Sequence, residues 1–356
     1  MIPSIHIHNF KCLKDFHLSP GKFCVLVGQN ESGKTAFLEA IRLAYLGVKN
    51  PHNMNPLVSQ EFGSAFTDDA VWRKDPTLTV AIEISDAQSN PDAEFRWKVH
   101  RLAKNAWSTS PSTTHVDRNI AQKLTDEWLA ANLGSVAYYR FNPQALKVPD
   151  RNMTQGELSI DGAGFPGFLN SFLHKDREAF RKFENEFYDR FPMYRHIELR
   201  DTVDRKAFAS TGYSLRFHTR QGTDLPASAI SDGAILSLAY TAICHQPDPP
   251  QVLLLEEPEN GVHHARLREI VDTLKHLSKT QDVQVILTTH SPYLLDLVEP
   301  EDVRVFVKDE EGAAHAIRLS DMPDVDAWRK NFMTGEIWTS LSPEEWNKKV
   351  VGGGNG

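Results

Sequence analysis

The sequence predicts an α/β fold built on a mostly parallel core sheet, and three stretches predict it. Val25-Leu26-Val27 is a short apolar strand that runs into Gly28-x-x-x-x-Gly33-Lys34-Thr35, and a helix carrying Phe37, Leu38, Ile41 and Leu43 follows at once. Val252 to Leu255 is wholly apolar, as a strand covered on both faces of a sheet is, and Val283 to Leu287 reads as another buried strand. Between them, Leu267, Ile270, Val271, Leu274 and Leu277 recur at helical spacing from His263 to Leu277. Strands alternating with helices in this way point to parallel pairing.

The remaining elements follow from local pattern. Residues 4–10, S-I-H-I-H-N-F, alternate as a strand with Ile5 and Ile7 on one face. Pro20-Gly21 makes a turn before the strand Phe23 to Val27, and the helix after the glycine-rich loop ends near Gly47. Residues 50–75 are irregular, Leu78 to Ile84 and Phe95 to Leu102 read as a strand pair, and 104–116 reads as a polar loop. Asp117 opens a helix with Ile120, Leu124 and Trp128 on one side and Gly134 as its C-cap. Ser135 to Phe141 is a strand, and 142–166 is a long loop of the kind that is usually functional or mobile. Leu169, Phe172, Leu173, Phe180, Phe183, Phe187 and Phe191 form a helical stripe that belongs in a core. Residues 194–201 and 212–219 are antiparallel strands. Ser231 precedes a helix through Ile243 that Pro247, Pro249 and Pro250 end. A short helix from Pro292 to Leu297 and strands at 303–307 and 314–319 complete the core. The tail, 321–356, carries Trp328, Phe332, Trp338 and Trp346.

Composition narrows the class. At 40% apolar and 24% charged residues over 356 positions, the chain is an ordinary globular protein of one large domain or two. It has no apolar run of about 18 residues to span a membrane, and the N-terminus lacks the apolar core of a signal peptide. Cys12, Cys24 and Cys244 are scattered and form no ligand-spaced pair, which suits small buried side chains in a reducing cytoplasm. The net charge of −8 brings no basic stripe, so charge gives DNA contact no support and does not exclude it.

The chemistry lies at three strand ends. In the glycine-rich loop, Gly28 and Gly33 let backbone N–H groups turn inward around phosphate oxygens. Lys34 brings a point charge to the terminal phosphates, Thr35 offers a hydroxyl to Mg²⁺, and the helix start adds unpaired donors. Val252 to Leu255 ends in Glu256-Glu257-Pro258-Glu259-Asn260. After a phosphate loop, such paired carboxylates suit one acid that holds Mg²⁺, usually through water, and one that polarises the attacking water. Val285-Ile-Leu-Thr-Thr-His290-Ser291-Pro292 then places His290 directly after a buried strand, within reach of a γ-phosphate.

These motifs together resemble an ABC-type ATPase head of the SMC/RecF/OLD-like branch, a group of P-loop NTPases usually labelled AAA-family ATPase. The opening I-H-I-H-N-F-K-C-L-K-D-F resembles that branch's first strand and turn. Gly28 to Thr35 matches its Walker A, with Asn30, Glu31, Ser32 and the following Ala36 falling in the nucleotide-binding loop. Leu254 to Asn260 matches Walker B, Gly261-Val262-His263 the D-loop, and Thr288 to Pro292 the His switch. Asp161-Gly162-Ala163-Gly164 before Leu169 also resembles this group. The resemblance spans roughly residues 2–320. It implies an ATPase head over 1–320 with an antiparallel β subdomain and a helical or loop insertion at about 104–190, followed by the tail 321–356.

The same resemblance implies ATP and Mg²⁺ as cofactors, with Thr35 and Glu256 at the metal and Lys34, Glu257 and His290 as catalytic residues. It also predicts a signature segment before Walker B, where Ser231-Asp232-Gly233-Ala234 stands. In the family this serine and glycine reach the γ-phosphate held by a second copy, which implies a homodimer closed over ATP. Three departures stand out: Asp232 puts a negative charge beside that phosphate, Glu256 replaces an aspartate, and Gln144 is only a weak match to the Q-loop. The chain carries no long heptad arms and no added segment of nuclease-domain length. The implied role is therefore a switch subunit that controls a separately encoded effector, often a nuclease or toxin in anti-phage defence. Two further readings stay open, a DNA-repair ATPase acting on DNA ends and a nucleotide-gated scaffold with little turnover.

Overall fold

A computed structural model describes residues 1–50, 70–75, 79–86, 95–103, 106–113, 127–129, 132–150, 158–204, 209–323 and 325–352, with Met54, Pro56, Val58, Phe62 and Gly156 as single positions between them. In chain order the strands are β1 (Ser4–Phe10), β2 (Leu13–Leu18), β3 (Phe23–Gly28), β4 (Ala81–Asp86), β5 (Phe95–Ala103), β6 (Ala106–Thr113), β7 (Val136–Tyr139), β8 (Tyr194–Asp204), β9 (Ala209–Thr219), β10 (Asp224–Pro226), β11 (Val252–Glu256), β12 (Gln284–Thr289), β13 (Val303–Lys308) and β14 (Ala314–Arg318). The helices are α1 (Lys34–Lys49), α2 (Pro143–Lys147), α3 (Phe165–Lys175), α4 (Arg177–Arg190), α5 (Asp232–His245), α6 (His264–Thr280), α7 (Pro292–Leu295), α8 (Val325–Trp328), α9 (Thr334–Ser340) and α10 (Pro343–Gly352). These elements fall into two compact units. One holds Met1–Ala137, Pro250–Leu254 and Asp282–Gly356, the other Tyr138–Pro249 and Leu255–Gln281.

The first unit contains the phosphate loop. Its six-stranded sheet has the order β14-β13-β3-β12-β11-β7. β3 pairs in parallel with both β12 and β13, and only the β13–β14 hairpin is antiparallel in its described pairings. Every residue of β3 is buried, because both of its edges and both of its faces are covered. That explains the unbroken apolar run the sequence shows there. α1 follows the loop and buries Phe37, Leu38, Ile41 and Leu43. A second, antiparallel sheet has the order β2-β1-β4-β5-β6. The α/β class with a mostly parallel core sheet and antiparallel sheets is thus as the sequence predicts.

Both edge strands of the antiparallel sheet correct the local reading. The polar loop expected at 104–116 contains β6, which pairs with β5. Its A-W-S-T-S-P-S-T sequence is too polar to read as a strand, and Pro111 argues against one. At a sheet edge a proline costs no ladder bond. β2 was not predicted either. Its buried positions are Leu13, Phe16 and Leu18, so the irregular step from 13 to 16 breaks the alternation that marks a strand. A two-residue turn joins it to β1, with Lys11 at φ 53°.

In the second unit, β10, β9 and β8 form a three-stranded antiparallel sheet. The phenylalanine stripe is core, as expected, but it spans two helices. Asp176 ends α3 and caps α4 by accepting from Glu178 N at 3.0 Å and Ala179 N at 2.9 Å. Phe183 and Phe187 are fully buried. Phe187 meets Phe217 of β9 with ring centroids 6.2 Å apart. The long loop expected at 142–166 holds the short helix α2, capped by Asn142. The helix expected from Asp117 lies largely outside the described residues, as does most of the irregular stretch 50–75.

Candidate functional site

The phosphate loop runs from Gly28 at the end of β3 to Lys34 at the start of α1. Its two glycines are required for different reasons. A Cβ at Gly28 would stand 2.4 Å from the carbonyl oxygen of Phe306, the residue paired with it in β13. Gly33 has φ 110°, and a Cβ there would meet Ala314 Cβ at 2.9 Å. Glu31 also lies in the left-handed region, at φ 64°, a conformation that costs a non-glycine residue and is kept where surroundings fix it. Lys34 is buried, and its Nζ donates to the carbonyl oxygens of Gly28 at 2.9 Å and Gln29 at 2.8 Å. The ammonium therefore sits on neutral loop acceptors at the helix start, where an anion would be held. Thr35 is exposed, whereas Ser32 and Ala36 are buried.

His290 belongs to the same unit. β12 runs parallel to β3 with Thr289 opposite Val27, so His290 emerges at the same sheet edge as the loop. Its neighbours fix the turn: Thr289 Oγ1 accepts from Ser291 N at 2.9 Å, and Ser291 caps α7 through Leu294 N at 3.3 Å. Beside the loop, a cavity of about 290 Å³ is lined by Gln29, Asn30, Ser32, Phe306, Trp338 and Trp346 among others. Trp338 and Trp346, on α9 and α10, pack with centroids 5.1 Å apart. The sequence marks these tryptophans only as part of a tail.

The acids and the signature segment lie in the second unit. Glu256 ends β11 and is buried. Tyr138 Oη donates to its Oε2 at 2.7 Å, and Arg140 Nη1 stands 3.8 Å from the same oxygen. Glu257 follows at φ 46° and opens a tight turn. Its backbone oxygen accepts from Asn260 N at 3.0 Å, and its Oε2 accepts from Asn260 Nδ2 at 2.6 Å. A left-handed residue directly after the strand swings the second carboxylate away from the strand direction of the first.

Ser231 caps α5, its Oγ accepting from Ala234 N at 3.3 Å. Gly233 is half-buried, and a Cβ there would lie 3.8 Å from the carbonyl oxygen of Gly261, so the start of α5 and the turn at Gly261 are neighbours. Asp232, the residue at odds with a phosphate site, is already engaged. Lys147 Nζ, on a side chain only 8% exposed, lies 2.5 Å from its Oδ1, and Gln144 Nε2 reaches the same atom at 3.3 Å. The weak Q-loop match thus meets the signature segment through Asp232. Asp161, in the other resembling segment, accepts from Ser159 Oγ at 2.6 Å and Ala163 N at 3.1 Å. The serine bond, followed by that backbone N–H, holds its carboxyl below the usual range. Asp161 orders the turn into α3. Tyr138, Arg140 and Lys147 were missed by sequence reading; they carry no motif, and each finds its acid only after folding.

A family model described as "AAA domain, putative AbiEii toxin, Type IV TA system" matches residues 23–296, more than half of the chain. The chain belongs to this AAA family. It is a P-loop ATPase. The OLD nuclease of Thermus scotoductus is 23% identical over 370 residues, which cover 94% of this chain and 68% of that protein. Among solved structures, an Smc head bound to the C-winged helix domain of ScpA is similar with a TM-score of 0.61 and 16% identity, over 89% of this chain and 96% of that one. An Smc head with an extended coiled coil, bound to the C-terminal domain of ScpA from Pyrococcus furiosus, gives 0.53 and 12%, over 93% and 99%. At these identities the likeness is one of fold. Among the described residues of this AAA ATPase, no helix is long and apolar enough to cross a membrane.

Proposed function

We propose that this AAA ATPase is a cytoplasmic switch in which two copies close head to head over ATP and hydrolysis reopens them, controlling a separately encoded effector, a nuclease or toxin of anti-phage defence. The observation that carries the reading is the start of α5. Ser231 and Gly233 stand at a surface helix N-terminus, and the carboxylate between them, Asp232, is paired with Lys147 and Gln144. A helix start whose local negative charge is compensated is suited to receive an anion presented by another molecule. The OLD nuclease relative is named for nuclease activity, and the similar Smc head is bound to a winged-helix domain of another protein. Both names fit a head whose output lies outside the ATPase core.

In this reading Lys34 and the backbone N–H groups of the loop, through Asn30, Glu31, Ser32, Gly33, Thr35 and Ala36, hold the phosphates. Glu257 takes the proton of the attacking water, and His290 contacts the γ-phosphate. The donor set also suits Mg²⁺: the Thr35 hydroxyl and the Glu256 carboxylate are hard oxygen ligands, and Glu256 is oriented by Tyr138. A Mg²⁺ ion held by Thr35 and Glu256 would supply charge neutralisation for the nucleotide's phosphates.

Tyr138 tests the role of Glu256. With Tyr138→Phe the carboxylate loses its hydrogen bond, and the Mg²⁺ concentration for half-maximal hydrolysis is expected to rise about tenfold. Phosphate release measured across a Mg²⁺ titration checks this, and an unchanged midpoint would separate Glu256 from the metal. Sedimentation tests the switch. Glu257→Gln with ATP and Mg²⁺ is expected to run as a dimer and without nucleotide as a monomer, because ATP is bound but not hydrolysed. Adding Ser231→Arg should return it to monomer by filling the anion position. A Glu257→Gln protein that stays monomeric with ATP sinks the head-to-head reading.

A further inference from the structure

The outer face of the β1–β2 hairpin gathers imidazoles that play no part in the ATPase chemistry. His6 and His8 alternate with the buried Ile5 and Ile7 of β1 and therefore project to the same face. Register then brings in β2: Asp15 pairs with His8, and His17 pairs with His6. His6 Nε2 lies 2.6 Å and His8 Nδ1 3.3 Å from the same oxygen, Asp15 Oδ1. The His6 and His8 rings are 3.9 Å apart between centroids. His17 stands on the same side with its Nε2 on the Ser4 hydroxyl at 3.1 Å, and its ring centroid is 5.9 Å from that of His6. On the other flank, Glu83 of β4 is the cross-strand partner of His6.

We propose that His6, His8 and Asp15 form a binding site for a zinc-class divalent cation, with a fourth position open to water. The geometry is close to what such an ion needs. Ligand atoms around a tetrahedral zinc stand about 3.3 Å apart for bonds near 2.0 Å, and the His8–Asp15 separation of 3.3 Å is already that edge. The His6–Asp15 contact of 2.6 Å is a hydrogen bond that opens by about 0.7 Å when an ion replaces its proton. Two imidazoles and one carboxylate suit zinc, nickel and copper better than magnesium or calcium. The two imidazoles are about one-third exposed, at 38% and 34%, and Asp15 is 71% exposed, so an ion has an open path. Because a rigid two-stranded ladder supplies all three ligands, little ordering is left for binding to cost.

Another cluster shows what a non-site looks like. Glu198, His218 and Asp224 are as close together, but Arg200 holds Glu198 at 2.9 Å and Arg216 holds Asp224 at 2.7 Å. Guanidinium groups already neutralise those carboxylates, and a cation there would have to displace or repel them. Among the described residues Asp15 meets two histidines instead, and imidazoles are themselves ligands for such an ion. The consequence is mechanical. The ion would tie β2, an edge strand, to β1, and the turn of that hairpin seats Cys12 against the phosphate loop, its Sγ 3.1 Å from where a Cβ of Gly33 would lie.

Equilibrium dialysis of the full chain against zinc chloride, after chelator treatment and with elemental analysis, tests the site. One zinc per chain is expected for the unaltered protein and for His276→Ala, a control at an exposed histidine of α6. The His6→Ala/His8→Ala double variant should lose that zinc while still binding ATP, which shows that it has folded. Cobalt substitution should give the visible absorption of a tetrahedral site in the unaltered chain and in His276→Ala, and not in the double variant. Absence of stoichiometric zinc on the unaltered chain overturns the proposal, as does zinc retained by the double variant.

Discussion

Lys34→Ala is expected to lower ATP hydrolysis by roughly 100- to 1,000-fold, the usual cost of removing one preorganised charge from a developing anion. The reason is visible in the ligand-free loop. The ammonium is buried, 5% exposed, and its donors rest on the carbonyl oxygens of Gly28 and Gln29. Those neutral acceptors repay only part of the cost of desolvating a cation; a terminal phosphate repays more. Removing the side chain is therefore expected to cost function. Urea unfolding of Lys34→Ala reads the effect on the fold separately, while phosphate release falls. Arginine is not expected to rescue the rate, because its planar fork replaces a compact point charge in a closed loop. Equal hydrolysis by both proteins would remove this loop from the reaction.

Gly28→Ala should damage both fold and function, and the contrast with Lys34 is informative. A Cβ at this position lies 2.4 Å from the carbonyl oxygen of Phe306, 2.6 Å from Ser32 Oγ and 3.0 Å from Phe306 Cβ. Serine can rotate away. The carbonyl belongs to a strand paired with β3 on a buried face and cannot. Either β13 shifts or the end of β3 does, at about 1–3 kcal/mol for overpacking of this kind. Moving the end of β3 also moves the loop that starts there, so ATP affinity should fall with stability. Urea titration and ATP titration of the same preparation measure the two effects. Unchanged stability would show that the close approach of β13 is not maintained in solution.

The sequence alone determined the parts of this protein that depend on a few consecutive residues. Apolar runs marked β3 and β11, and the apolar centre Val285 to Leu287 marked β12, because strands buried on both faces need no polar alternation. Gly28 and Gly33 marked the loop, since backbone approach and positive φ exclude other residues there. Ser231 was legible as a cap because capping is local. Glu256, Glu257 and His290 were singled out as candidates by their place at the ends of buried strands. On those grounds the α/β class and the P-loop ATPase activity were already readable.

Tertiary structure decided what lies between distant residues. Asp232 read as a charge at odds with phosphate until Lys147, 85 positions away, was found on it. Tyr138 reaches Glu256 across 118 positions. His6 and His8 were only the polar half of a strand until the register of β2 placed Asp15 opposite His8. β6 was invisible because its polarity is tolerated only at a sheet edge, and edge position is a property of the whole sheet. Spacing along the chain encodes the sterics of neighbours. Which charge meets which carboxylate is fixed by packing that joins segments about a hundred residues apart, and no local pattern carries that information.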